Sequence, residues 1–537
     1  MVAAGTRLQL DPGTRRPTER LLVGGSPLRF LRLSPAGAAQ IDRWVAGAPV
    51  SGTAARALAT RLVDGGLAHP LPGEGGPTPA EVTAVIPVRD QAAGLAATVG
   101  SLGPVGRVVV VDDGSLDPPG VVAAAGGAEV LRHGASRGPA AARNTGWRAA
   151  GSPFVAFIDA DCRAEAGWLD RLLPYFADPR VAAVAPRIVA RVEDRHDLGI
   201  AARVEDRHAL GTAARVEDRR DLGTAARVED RHALGIYEGR RSPLDLGARP
   251  GPVRPRSWVP YVPTACVVVR RCCLEAVGGF DEELRFGEDV DLVWRLAAAG
   301  WSVRYQPGAE IGHSPRDSWS GWALQRYRYG RSAASLATRH GDAVAPLDVN
   351  PWSAAAWALG GLGHPLAGAA VAGVSTVALL RRTRSVPTSE LARAALSGHA
   401  RAGAALSRAL GREWWPFALA ASVLSRRARW GVMAGVLLPP LWEWARDHPG
   451  LDPLRWAAFS IADGVAYGTG VCAGCITARS ARALRPRWAR TSPAPGFLGT
   501  FFALGTFLHA GRAITSPKQK TSPNAAASGS PPQKAPR

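Results

Sequence analysis

Three observations predict an α/β catalytic domain with a Rossmann-like, mixed and mainly parallel sheet. From Val82 onward short apolar runs recur, each run stops at charged or turn residues, and helix-like stretches separate the runs. Buried parallel strands read as continuous apolar segments joined by crossover helices. Val82–Val88 is the first predicted strand, Arg107–Val111 the second, and Phe154–Ile158 a later one.

A chain of 537 residues exceeds what one compact core holds, so two or more folded units are expected. A hydrophobic fraction of 46% excludes global disorder, and a formal net charge of +20 suits an anionic partner: nucleic acid, an acidic membrane surface or a phosphate-bearing substrate. The chain has no recognisable helix-turn-helix or aromatic RNA-binding motif, and its Arg residues scatter, so no nucleic acid is expected as a partner. Six irregularly spaced cysteines do not make a disulfide scaffold, which fits a reducing cytosol. Cys472-Ala473-Gly474-Cys475 has metal or redox spacing, but it lies in an apolar stretch with no second pair, and packing is the expected role. The amino terminus lacks the basic patch and apolar core of a signal peptide, so the catalytic half is expected to stay cytoplasmic.

Residues 1–78 read as a small unit resembling winged-helix peptide-binding domains. Leu21-Leu22-Val23 and Leu28–Leu33 are predicted strands, with helices following that start at Ser34-Pro35 and Ser51. Pro70–Pro79 is the expected linker to a catalytic unit at residues 79–345. Within that unit, residues 191–235 hold four near-identical twelve-residue copies, with Arg191, Arg203, Arg215 and Arg227 in register. Each copy carries only Val and Leu as regular large apolar residues, too few to bury a core, so a surface insertion is expected. Residues 346–515 turn rich in Ala, Gly, Leu and Trp, with apolar stretches at Trp352–Leu380, Pro416–Leu424, Trp430–Leu441, Trp456–Cys475 and Phe497–Leu508. Only the first and fourth approach bilayer-spanning length. Arg381-Arg382-Thr383-Arg384, Arg426-Arg427-Ala428-Arg429 and nearby Trp414, Trp415, Trp442 and Trp444 suit helices lying in or crossing the cell membrane; a soluble helical domain is the alternative. The Pro-, Ser- and Lys-rich tail, residues 516–537, is expected to be disordered.

The chemistry concentrates where predicted strands end. Asp112-Asp113-Gly114-Ser115 follows the second strand, at the sheet edge where ligands bind, and carboxylates there can accept from a uracil N–H or a ribose hydroxyl. Asp159-Ala160-Asp161 follows Phe154–Ile158, and such a pair can hold Mg2+ or Mn2+ between protein and diphosphate oxygens. Phe286-Gly287-Glu288-Asp289 opens a helix, and a carboxylate placed opposite the metal could take a proton from an acceptor hydroxyl.

Taken in order, these segments resemble the family 2 glycosyltransferases of the GT-A fold over about half the chain. Val85-Ile86-Pro87-Val88 matches the family's opening strand, Asp112-Asp113-Gly114-Ser115 its nucleotide turn, and Arg137-Gly138-Pro139-Ala140-Ala141-Ala142-Arg143-Asn144-Thr145-Gly146 its characteristic helix start. The resemblance implies a metal-dependent inverting transferase using a nucleotide-sugar donor. It places Pro87, Asp112, Asp113, Arg137 and Asp159 at the donor, Asp161 with Asp159 and His313 at the metal, and Asp289, beside Glu288, as general base. Gln325-Arg326-Tyr327-Arg328-Tyr329 resembles the Gln-x-x-Arg-Trp motif of processive members with Tyr in place of Trp, which leaves processivity open.

A narrower resemblance, carried by Gly24–Arg29, Leu33–Gly37 and Tyr237–Gly247, is to the membrane-associated branch of that family that glycosylates a peptide-derived redox cofactor precursor. It implies UDP-glucose as donor and a β-linked chain of hexose units as product. A family 2 enzyme acting on a lipid or cell-envelope polysaccharide is the alternative within enzymes, and a basic membrane-bound nucleic-acid-binding protein is the alternative outside them.

Overall fold

The computed structural model describes residues 1–73, 75–191, 232–316, 318–383 and 385–489. The inner repeat copies, the Phe497–Leu508 stretch and the tail lie outside the described residues.

The first unit holds more strands than the sequence indicated. β1 (Arg7–Leu10) will pair with β5 (Ala68–Leu71), while β2 (Arg15–Thr18), β3 (Leu21–Gly24) and β4 (Arg29–Arg32) form an antiparallel meander. Two helices, Pro35–Val45 and Thr53–Asp64, close over Leu22, Ile41, Trp44, Leu62 and Leu67. Ser34 caps the first helix by accepting the Gly37 N–H at 3.0 Å. The second helix is preceded not by a serine cap but by Gly52, whose φ of 80° suits glycine.

The catalytic unit is built on a nine-stranded mixed sheet. Its strands are β6 (Val82–Val88), β7 (Arg107–Asp112), β8 (Glu129–Arg132), β9 (Phe154–Ile158), β10 (Cys162–Ala164), β11 (Val181–Ala190), β12 (Gly251–Pro252), β13 (Cys266–Arg270) and β14 (Ser302–His313). They lie in the order β10-β14-β11-β13-β9-β6-β7-β8, with β12 paired to β14. Pairing is parallel through β8, β7, β6 and β9 and between β11 and β14; it turns antiparallel where β13 joins β9 and β11. Successive side chains of a strand face opposite ways, so both faces are apolar. Val85, Val109, Val155 and Phe157 face the Pro139–Ala149 and Glu288–Ala298 helices; Ile86, Val110, Ala156 and Ile158 face a second core with Leu95 and Trp168. Gly146 makes the first contact close, since a Cβ there would meet Val85 Cγ1 at 2.2 Å.

The last unit is helical. The Trp352–Leu380 stretch is interrupted by a turn at Gly363 and becomes two helices, Pro351–Gly361 and Pro365–Arg382, so it is not one long span. Thr388–Gly411, Trp415–Leu424, Arg426–Asp447 and Pro453–Thr477 follow. Among the described residues one helix, Pro453–Thr477, is long and apolar enough to cross a membrane by length and composition. That helix lies along Trp319–His340 at glycine-mediated distance: a Cβ at Gly330 would sit 2.0 Å from the Tyr467 carbonyl oxygen, and one at Gly470 2.0 Å from that of Tyr327. Cys472 and Cys475 both sit on it, with Cys475 buried.

Candidate active site

β7 and β8 extend from one side of β6 and β9 lies on the other, so the winding of the sheet reverses at β6 and β9. The carboxyl ends of strands on either side of such a reversal enclose a crevice. Pro87 lies half-buried at the end of β6, opposite Val111 of β7. The acidic clusters end β7 and β9 beside it.

Asp112 and Asp113 are both buried, and both have protein partners. Asp112 accepts the Ser115 N–H at 2.8 Å and pairs with Arg132. Asp113 bonds His133 (2.7 Å) and accepts from the Arg137 N–H (2.8 Å), the Ser136 hydroxyl (2.7 Å) and the Gly138 N–H (2.8 Å). Burial alone would raise the Asp113 pKa, but these donors together hold it below the usual carboxylate range. Asp113 thus pins the turn that launches the Pro139–Ala149 helix. The Arg137 side chain is exposed and pairs with Glu282 at 3.0 Å.

At the end of β9, strand pairing brings the expected metal-site residues together in part. β10 opposes β14 with Cys162 across from His313, which sets Asp161 Oδ1 3.5 Å from His313 Nε2. Asp159 is engaged otherwise: its Oδ1 accepts from Arg143 Nη2 at 2.7 Å. Among the described residues no three His, Cys, Asp or Glu side chains converge as a metal cage. The three-residue set is therefore not preassembled. A carboxylate and an imidazole still suit a divalent cation whose remaining positions are filled by diphosphate oxygens.

Arg143, inside the helix-start segment Arg137–Gly146, is a site residue that the sequence does not mark as one. Its guanidinium is 5% exposed and bridges Asp159 to Glu288 Oε1, also at 2.7 Å, tying the metal-side cluster to the start of the Glu288–Ala298 helix. Burial disfavours its charge, but Asp159 and Glu288 outweigh that and keep it cationic. Asp289 carries no ion pair among the described residues, and its Oδ1 takes the Val290 N–H at 2.7 Å. Burial pushes both carboxyls above the ordinary carboxylate range against the opposing Arg143 charge, with Asp289 adding to the rise at Glu288 and Asp159 to the rise at Asp289.

Two tyrosines complete this side. Tyr329 lies one turn before Ser332 and two before Leu336, whose side chains meet a Cβ built at Gly287 at 3.0 and 3.1 Å, so this helix face covers the turn that carries Asp289. Tyr261 and Val290 pack against the same apolar core. Burial, with Asp289 nearby, pushes both phenols up and keeps them neutral. Arg326 of the Gln-x-x-Arg-like segment is structural: buried, it pairs with Glu238 and with Asp463 at 3.1 Å.

A family model described as glycosyl transferase family 2 matches residues 83–226, and one described as glycosyl transferase family group 2 matches residues 246–445. The chain is 39% identical over 481 residues to a pre-mycofactocin glycosyltransferase of Mycobacterium tuberculosis, covering 87% of this chain and 94% of that protein. It is 46% identical over 61 residues to an N-acetylglucosaminyl-diphospho-decaprenol L-rhamnosyltransferase of the same organism, covering 11% and 19% of the two. A mannosyltransferase from Pyrobaculum calidifontis, solved with GDP-Man and Mn2+, is 19% identical over 68% of this chain and 90% of that one, with a TM-score of 0.34.

Proposed function

The chain belongs to glycosyltransferase family 2, and on that premise we propose that it is an inverting hexosyltransferase moving glucose from UDP-glucose onto a pre-mycofactocin-like acceptor. One observation carries the catalytic reading: Arg143 joins the Asp159 cluster to Glu288 across the crevice and leaves the neighbouring Asp289 without an ion pair. The name of the relative matched over 94% of its length supports the acceptor.

In this reading the donor lies along the ends of β6, β7 and β9, against Pro87, Asp112, Asp113, Arg137 and Asp159. Asp161 and His313 hold a divalent cation, Mg2+ or Mn2+, which supplies charge neutralisation to the departing diphosphate. The acceptor hydroxyl attacks the anomeric carbon from the face opposite the diphosphate. As the new C–O bond forms and the bond to the phosphate oxygen breaks, the hydroxyl proton passes to Asp289. Glu288 is a poorer base because Arg143 occupies one of its oxygens. A single displacement converts an α-linked donor into a β-linked product.

The test uses the full chain with UDP-glucose, Mn2+ and pre-mycofactocin. Expected is a β-glucosylated precursor, with no label entering lipid or polysaccharide fractions of cell extracts; label there instead, with the precursor untouched, favours the envelope acceptor.

The helical unit fits a location on the inner face of the cell membrane. Leu366, Phe417, Leu419, Val423, Leu424, Trp430 and Trp442 are exposed on helices that bury almost nothing themselves, and Arg381, Arg382, Arg426, Arg427 and Arg429 border them. Exposed apolar side chains in this number suit an interaction surface, and basic residues with Trp nearby match an anionic bilayer.

A further inference from the structure

The seam between the first unit and the catalytic sheet carries more positive charge than its own carboxylates balance. The Thr53–Asp64 helix ends against β12, where a Cβ at Gly66 would lie 3.7 Å from the Pro252 ring. Beside it the Ser26 N–H donates to the Gly65 carbonyl at 3.0 Å, and Ser26 Oγ accepts the Trp258 N–H. These contacts bring together Arg29 at the start of β4, Arg254 just past β12, and Arg304, which stands on β14 opposite Pro252. All three lie within electrostatic range of Asp64.

The nearby acids are already engaged. Asp64 pairs with Arg254 at 3.4 Å, and Asp178 with Arg180 at 3.0 Å. Arg29 and Arg304 have no ion pair among the described residues. Arg304 is 2% exposed, its guanidinium carbon lies 5.7 Å from the Tyr175 ring centroid, and its Nη1 is buried without a hydrogen-bond partner. A buried guanidinium in that condition is costly, and an ion or a water is what satisfies it. Burial pushes the Arg304 pKa down to about 10, which still leaves the group charged at neutral pH. At Arg29 burial, with the repulsion of Arg254 and Arg61 added, likewise works against the charge.

We propose that Arg29, Arg254 and Arg304 form a phosphate-binding site at the seam between the first unit and the catalytic sheet. Its ligand is a tetrahedral dianion, either inorganic phosphate or the phosphate group of a monoester. The unpaired charges of Arg29 and Arg304 are balanced by a dianion, whereas a single carboxylate leaves one of them over. Guanidinium forks also match phosphate oxygens two at a time. The site is separate from the donor crevice: Arg304 lies near the Ser302 end of β14, and His313 closes the other end of that strand. A bound phosphate ties the first unit to the catalytic sheet, and the site does not depend on the glycosyl-transfer reading.

The test is a calorimetric titration of inorganic phosphate into the full chain, with UDP and Mg2+ filling the donor crevice and sodium chloride holding the ionic strength fixed. Wild type is expected to bind. Arg29→Gln and Arg304→Met are each expected to weaken binding about tenfold or more, the worth of one hydrogen bond to a charged group. Asp64→Asn is expected to tighten it, because a competing carboxylate is removed; arginines with a packing role alone give no such gain. Should Arg304→Met fail to fold, Arg29→Gln, at a half-buried position, carries the test. A second titration with glycerol 3-phosphate separates the sources: tighter binding of the ester points to a phosphorylated molecule, and tighter binding of inorganic phosphate to the free ion. No binding beyond that of chloride, or equal phosphate affinity in wild type and the variants, overturns the site.

Discussion

A guanidinium with 5% of its side chain exposed and a carboxylate at 2.7 Å on either side is fixed by both partners, and removing it strands Asp159 and buried Glu288 without a counter-charge. Arg143→Ala is therefore expected to destabilise the protein by about 3–5 kcal/mol, the usual cost of breaking a buried pair, read as a lower urea midpoint. Asp289→Asn should fold normally and bind UDP, but lose about two to four orders of magnitude in kcat, the range for a general base; a normal rate would remove Asp289 from the mechanism. Because burial, helped by the Asp159 charge, outweighs Arg143 and raises the Asp289 pKa, the acid limb of kcat/KM should lie above the ordinary carboxylate range and vanish in that variant. Stability runs in two directions. The raised Glu288–Asp289 pair favours the folded state at low pH, and that contribution is lost as pH rises through its folded pKa; the lowered Asp113 contributes above its unfolded pKa and loses that contribution as pH falls. The acidic clusters were legible in the sequence because each ends an apolar run. Arg143 was not, since an arginine inside an alanine-rich helix start gives no sign that it will be enclosed between two acids from distant segments.

The strands Val82–Val88, Arg107–Asp112 and Phe154–Ile158 could be read directly, because a strand buried on both faces is apolar throughout. β10 could not: three residues, Cys162–Ala164, are too few for any period, and its importance lies in placing Asp161 near His313. The apolar run Trp456–Cys475 carried a different ambiguity. Its length suggests a span, but Gly330, Gly470 and Gly474 show a helix fitted against a partner, a relationship invisible until the partner is known. Gly470→Leu is expected to force the two helices apart and cost about 1–3 kcal/mol, the range for overpacking; thermal unfolding and protease sensitivity of the helical unit would register it, and an unchanged melting profile would show that the helices do not pack this closely. The repeat copies lie outside the described residues. Deleting Arg203–Ala214 should leave transfer nearly intact, since the chain enters the insertion after Arg191 and returns by Leu234 and Tyr237, which are buried against Trp322 and Trp456; lost activity with normal expression would give the repeats a functional part.

The three units hold one another in place around the crevice. Leu21 and Val23 of the first unit pack on Val386 and Leu391 of the helical unit, and Arg15 pairs with Glu390. Asp11 engages Arg249 of the catalytic unit, and burial raises while His69 and Arg249 lower its pKa, to about 2. With these faces used internally, the helices from Pro365 to Asp447 still carry exposed Leu366, Phe417, Val423, Leu424, Trp430 and Trp442, while others such as Leu116, Leu454 and Ile476 stand exposed elsewhere. On the proposed membrane location, the helices would lie in the interface, because the span-length helix, Pro453–Thr477, is packed along Trp319–His340. The full chain should therefore float with vesicles of anionic phospholipid, and less with neutral ones. Raised salt should lower the bound fraction, since the Arg residues act through a screened surface potential. Leu424 is 86% exposed and Trp442 72% exposed, so Leu424→Asp and Trp442→Glu remove no packing and should change stability little, while together they release the protein from vesicles. Flotation that survives both substitutions and high salt would mean that a helix crosses the bilayer, and that the exposed face has some other occupant.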